Sequence, residues 1–230
     1  MKIVIFFVSF FSSFVYSQPR SGEVIYEIKT IEVEVAEPSD FLTNVIKYAK
    51  EQKFKLHFNE SGSNFKTEIS MNANDDTPEE IKVTASVAFM SYYTHYRNKK
   101  TSQEFLLRDG IVIEKKIVPL DWNITTESKL IGEHLCYKAS VPIKYMARNG
   151  KEVTKVIVAW FAPSLPFPYG PKEFDGLPGL ILELTDRATT YLATSISLDT
   201  NAAREIDYPK GKTITEEEYN EKIMSNSRFN

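Results

Sequence analysis

The chain has 230 residues, 42% hydrophobic and 26% charged, with a formal net charge of −3. That length suits one domain with a substantial core, and the lack of a basic excess argues against nucleic-acid binding. An aromatic share of 13%, with fifteen Phe and twelve Tyr, leans toward β structure.

Residues 1–17 carry one positive charge followed by a continuous apolar run, with the small residues Val15 and Ser17 just ahead of Gln18. This is the pattern of a secretory signal peptide, and the run is shorter than the roughly 20 apolar residues of a membrane-spanning helix. The expectation is export to the periplasm or beyond, one β-rich domain over 18–230, and no transmembrane segment once the leader is cut. A single cysteine, Cys136, allows no intramolecular disulfide. Its apolar surroundings read as a core position. On a strand His134 and Cys136 would share a face, but two ligands without a third make a poor metal site. No metal and no cofactor are expected.

The mature chain opens with a strand over 22–36, in which Val24, Tyr26 and Ile28 alternate with charged residues. Ser39 caps a helix running to Glu51, with Phe41, Val45, Ile46 and Ala49 near helical spacing. Residues 53–59 and 64–71 flank Glu60-Ser-Gly-Ser63 as a hairpin. Residues 72–80 form an exposed acidic loop that enters one helical turn at Pro78. Strands are then expected over 90–97, 101–107, 111–117, 122–131, 133–143 and 153–162. Asp109-Gly110 is the sharpest hairpin signal, with further turns at Gly132 and Asn149-Gly150. Two more strands, 180–185 and 191–199, follow. At the tail, Thr215 and Glu218 form a capping box before a short helix. The sum is a curved antiparallel sheet forming a half-barrel or barrel, with short helices at the N- and C-terminal ends.

Between the strands ending at Ala162 and starting at Leu180, five of the eleven prolines and three of the nine glycines fall within Pro163–Gly179. Such a density fixes backbone angles in advance, so this is a shaped connection. Leu177-Pro178-Gly179-Leu180 reads as a type II turn, with Gly179 at the position that needs positive φ.

This stretch resembles the signature of the GLPGLI family, whose hexapeptide stands here as Gly176, Leu177, Pro178, Gly179, Leu180 and Ile181. Trp160-Phe161, Tyr169-Gly-Pro171, Phe174, Trp122-Asn-Ile and Glu133-His-Leu-Cys136-Tyr-Lys-Ala139 are similar to that family's flanking pattern, so the resemblance covers residues 20 to 225. It implies an exported, β-rich protein of a Gram-negative envelope, and it carries over no catalytic residue.

The sequence holds no GxSxG, HExxH, P-loop or paired-cysteine zinc spacing. His57, His95 and His134 lie in separate strands, where a satisfied or solvent-facing histidine is the ordinary role. Glu173 and Asp175 read as solvated loop acids. The ligand-binding candidates are therefore aromatic: Tyr93, Trp160, Phe167, Tyr169 and Phe174, either lining a cavity in the curved sheet or filling its core. The favoured function is a non-enzymatic binding, carrier or envelope-interaction protein. Its partner would be an apolar ligand, a peptide or an outer-membrane component. The alternative is a hydrolase with an unrecognised site near His134, Cys136 or Asp175.

Overall fold

The computed structural model describes residues 20–68, 76–91, 93–108, 110–146, 151–199 and 205–226. The leader over 1–17, the start of the acidic loop, Tyr92 and the turn at 149–150 lie outside these residues. In chain order the elements are β1 (Ser21–Ile31), α1 (Asp40–Glu51), β2 (Lys53–Asn59), β3 (Gly62–Glu68) and α2 (Glu79–Ala88). There follow β4 (Thr94–Asn98), β5 (Gln103–Arg108), β6 (Ile111–Lys116), β7 (Asn123–Ile131), β8 (His134–Met146) and β9 (Glu152–Ala162). The chain closes with β10 (Leu180–Asp186), β11 (Thr189–Asp199), β12 (Thr213–Thr215) and α3 (Glu216–Asn226).

Among the described residues, all twelve strands join one open sheet in the order β12-β6-β5-β4-β3-β2-β1-β11-β10-β9-β8-β7. It curves into the expected half-barrel. Every pairing is antiparallel except that of β12 with β6, which is parallel. No helix among the described residues is long and apolar enough to cross a membrane.

One face of the sheet is the core. Val24, Tyr26 and Ile28 on β1 and Phe54, Leu56 and Phe58 on β2 are buried, each two residues apart, as the strand period requires. β10 is buried almost throughout, and its run Leu180-Ile-Leu-Glu-Leu184 has the near-continuous apolar character of a covered strand.

The proline-rich connection between β9 and β10 folds back into the hollow. Phe167 packs 4.6 Å from the Phe58 ring, and the Tyr169 hydroxyl donates to the Asn59 carbonyl at 2.9 Å. The Tyr26 hydroxyl donates to the Ile181 carbonyl at 2.6 Å. Backbone bonds from Phe167 N to Leu165 O, Tyr169 N to Phe167 O and Gly179 N to Leu177 O make three γ-turns centred on Pro166, Pro168 and Pro178. Proline suits the centre of an inverse γ-turn because its fixed φ lies close to the value that turn needs.

The expected type II turn is therefore absent. Positive φ falls at Gly176 (+89°), not at Gly179. Gly179 is required for a different reason: a Cβ there would stand 2.2 Å from the Ala162 carbonyl oxygen. Its role is close backbone approach, where β10 begins against the end of β9.

Several local expectations hold. Ser39 Oγ accepts from the Leu42 amide, and Thr215 and Glu218 exchange the two bonds of a capping box at 3.2 and 3.0 Å. Two elements differ. α2 runs ten residues where one helical turn was expected. Its β-branched residues Ile81, Val83, Thr84 and Val87 give it no strong helical pattern, and it is held by packing against α1. The three-residue β12 extends the sheet beside β6 with too little sequence to carry a signal of its own.

Candidate functional site

Strands β4, β5 and β6 carry their charges inward. In register, Arg97 on β4 faces Glu104 on β5, and Glu104 faces Lys115 on β6. His95 lies two residues from Arg97 and so on the same face. The large aromatics of these strands point the other way, where Tyr96 and Phe105 pack against Tyr208. The pattern is inside-out, with buried charge toward the hollow.

Glu104 is the hub. Its carboxylate lies 3.3 Å from His95 Nδ1, 3.6 Å from Arg97 Nη1 and 3.6 Å from Lys115 Nζ, and it is only 2% exposed. Burial by itself would raise its pKa, but the His95 hydrogen bond with Lys115 and Arg97 outweighs this and holds it below the usual carboxylate range. Arg97 Nε reaches Asp175 of the proline-rich connection at 2.9 Å, and Arg97 Nη1 donates to the Glu173 carbonyl. Asp175 is thus buried and paired, where the sequence suggested a solvated acid. Its pKa is raised by burial, because Arg97 and Lys99 offset that cost only in part.

A second cluster faces this one. Lys155 on β9 and Lys172 of the connection both bind Asp186 at the end of β10, each at 2.8 Å. Burial would raise the Asp186 carboxyl, but the two ammonium groups override it and bring the pKa down to about 2.

Two open cavities adjoin these clusters, and the smaller of them lies between the two. The larger, about 1190 Å³, is bounded by β5, β6, the residues around β12, and Phe174. The smaller, about 720 Å³, lies between the end of α2, β4–β6, β9 and α3. Both are lined by Lys115, Glu173 and Glu216, so they are two ends of one groove. β6 and β9 stand near opposite ends of the strand order yet line the same cavity, which is the direct expression of the sheet's curvature.

The two ends differ in charge. Among the described residues the larger cavity is lined by six carboxylates (Glu104, Glu114, Glu173, Glu216, Glu217 and Glu218) against Arg97, Lys115 and Lys116. The smaller is lined by five cations (Arg108, Lys115, Lys155, Lys172 and Arg187) against Glu173, Asp186 and Glu216.

The aromatic candidates scatter. Tyr93 lines the smaller cavity, with its ring 6.4 Å from that of Tyr219, and burial together with Tyr219 raises its phenol pKa. Phe174 walls the larger cavity, edge-on to Trp122. Phe167 and Tyr169 are buried in the core. Trp160 lies on the opposite face of β9 from Ile157, Ala159 and Phe161, with Lys129 Nζ 4.2 Å from its ring centre. Cys136 is buried, with its pKa pushed up to about 11 by that burial, and His134 Nδ1 lies 3.3 Å from Ser164 Oγ. Among the described residues no group of three potential metal ligands is assembled.

The apolar pattern of these strands gives no sign of the charged groove. Charges at 97, 104 and 115, at alternating positions of three successive strands, were the available signal.

The model of a family described as a protein of unknown function (Porph_ging) matches residues 144–183, which include the hexapeptide. No curated protein matches in sequence. The fold is similar to that of PNGF-II, at a TM-score of 0.54 and 15% identity in its C2 crystal form, and 0.53 and 14% in its P21 form. In both, the match covers 89% of this chain and 33% of PNGF-II, so the chain spans about a third of that protein's length. At such identity the likeness concerns the fold alone. LprF from Mycobacterium bovis aligns over 84% of this chain and 90% of its own at a TM-score of only 0.28 and 11% identity.

Proposed function

We propose that this is an exported GLPGLI-type protein of a Gram-negative envelope that binds a peptide in the groove of its half-barrel, as a carrier or interaction protein. The observation behind this reading is the groove's polarity: one end acidic, the other basic, joined by shared lining residues. A short peptide with free ends is a dipole of the same kind. Its ammonium group suits the acidic end and its carboxylate the basic end, and complementary charge favours one direction of binding. Of the three partners the sequence suggested, the charged lining favours the peptide over an apolar ligand, which would leave these groups dry and partly unpaired.

The test is calorimetric titration with free-ended tri- to pentapeptides, and with the same peptides acetylated and amidated at their ends. Micromolar binding that weakens at least tenfold on capping is the expected result. Equal binding of capped peptides, or saturable binding of a fatty acyl probe with no peptide binding, would refute it. Export is checked by fractionating the native cell and sequencing the mature N-terminus, expected at Gln18.

A further inference from the structure

The segment between α2 and β4 brings a hydroxyl to the inward-facing histidine. Ser91 Oγ lies 3.0 Å from His95 Nε2, and His95 Nδ1 lies 3.3 Å from Glu104 Oε1. A carboxylate can only accept, so the ring proton belongs on Nδ1, and Nε2 is left as an acceptor facing the serine. Ser91 Oγ also lies 2.8 Å from the Tyr93 carbonyl. One hydroxyl proton thus has two acceptors, and it reaches the imidazole by rotation about a single bond. Ser91 and His95 are 8% and 6% exposed, and both line the smaller, basic cavity. A nucleophile, a base in contact with it and a third group orienting the base are the parts of an activated serine, whatever their order in the chain.

We infer that Ser91 is a nucleophile, His95 its general base and Glu104 the positioning residue, and that the groove hydrolyses esters or amides whose acyl side bears a free carboxylate. Ser91 Oγ attacks the carbonyl carbon while His95 Nε2 takes its proton. The bond to the leaving alcohol or amine then breaks, and His95 returns the proton to that group. Water attacks the resulting acyl-serine ester with His95 again accepting a proton, and the acid departs as Oγ is reprotonated. The excess of cations around this cavity draws the substrate's carboxylate and favours the oxyanion formed on attack. Glu104 is held ionised by Lys115 and Arg97, as orientation of an imidazolium requires. This goes beyond the binding reading but uses the same groove.

The probes are a fluorophosphonate, which loses fluoride to an activated serine, and the 4-nitrophenyl esters of acetate and of monoanionic glutarate. Peptide mass spectrometry on the unaltered chain is expected to find the phosphonate on Ser91, which needs no variant to fold. The glutarate ester is expected to react at least tenfold faster than the acetate. Ser91→Ala should fall to the buffer rate and His95→Gln should lose at least a hundredfold. Glu104→Gln should lower kcat with KM unchanged, and Glu104→Asp should recover part of it, with circular dichroism unaltered throughout. No phosphonate on Ser91, or equal ester turnover by Ser91→Ala, overturns the inference while leaving peptide binding intact. Labelled Ser91 in a protein that binds no peptide would do the reverse.

Discussion

Arg97 brings its guanidinium to 2.9 Å from Asp175 and 3.6 Å from Glu104, with all three groups nearly out of solvent. Removing the one cation leaves two buried carboxylates short of a partner. Arg97→Ala should therefore cost on the order of 3–5 kcal/mol, and Arg97→Lys should restore only part, because an ammonium cannot face two acids as a planar fork does. Urea denaturation measures this, and a loss below about 1 kcal/mol would remove Arg97 from its central place. Asp186 gives a pH-dependent counterpart. Its folded pKa of about 2 lies below the ordinary 3.8, so its stabilisation is complete above pH 4 and fades as pH falls toward 2. The stability difference between the native chain and Asp186→Asn should shrink by about 2 kcal/mol over that interval. Asp175, raised by burial, works in the opposite sense, so the difference between the two chains is the quantity to follow.

Among the elements, the connection from Pro163 to Gly179 is best tested through its glycines. A Cβ at Gly179 would meet the Ala162 backbone, which cannot move without shifting β9. At Gly176 a Cβ would meet nothing within 4 Å and would suffer only from the positive φ. Gly176→Ala is thus expected to cost about 1 kcal/mol and Gly179→Ala about 3 kcal/mol or more. Equal melting temperatures would contradict this assignment. The same contrast explains what could be read from sequence. Strand order along the chain, the α1 cap and the tail's capping box were legible because each depends on residues close together. Turn chemistry marks Gly179 as special in the sequence, but the actual cause, close approach to Ala162, is a tertiary fact. The groove was illegible for a similar reason. Arg97, Glu104 and Asp175 look like solvent-facing residues until register and curvature place them opposite one another, and α2 owes its form to packing that no local pattern encodes.

At the scale of the whole molecule, the sheet has two free ends. β7 is largely exposed and carries an irregular register with β8 between Ile124 and Ser128, which blunts it as a template for further strands. The other end is finished by β12, three residues long. If the groove works by charge, its affinity for a free-ended peptide must fall with ionic strength, since opposite ends of the ligand are held by opposite fields. Raising salt from 0.05 to 0.5 M should weaken binding by roughly tenfold, whereas an affinity that grows with salt would indicate apolar contact instead.

The open sheet has a mechanical consequence. A closed barrel is a hoop, stiffened all round by its backbone ladder. This one is a hoop with a gap, and the Arg97–Asp175 pair acts as its clasp, tying the β4 side to the connection that leads into β10. Resistance to springing apart therefore resides in a few side chains, while each flank keeps its own ladder. Asp175→Ala should leave the strand content of the circular dichroism spectrum unchanged but widen the molecule. Small-angle scattering should show a larger radius of gyration, and amide exchange should rise in the proline-rich connection before it rises in β1 or β2.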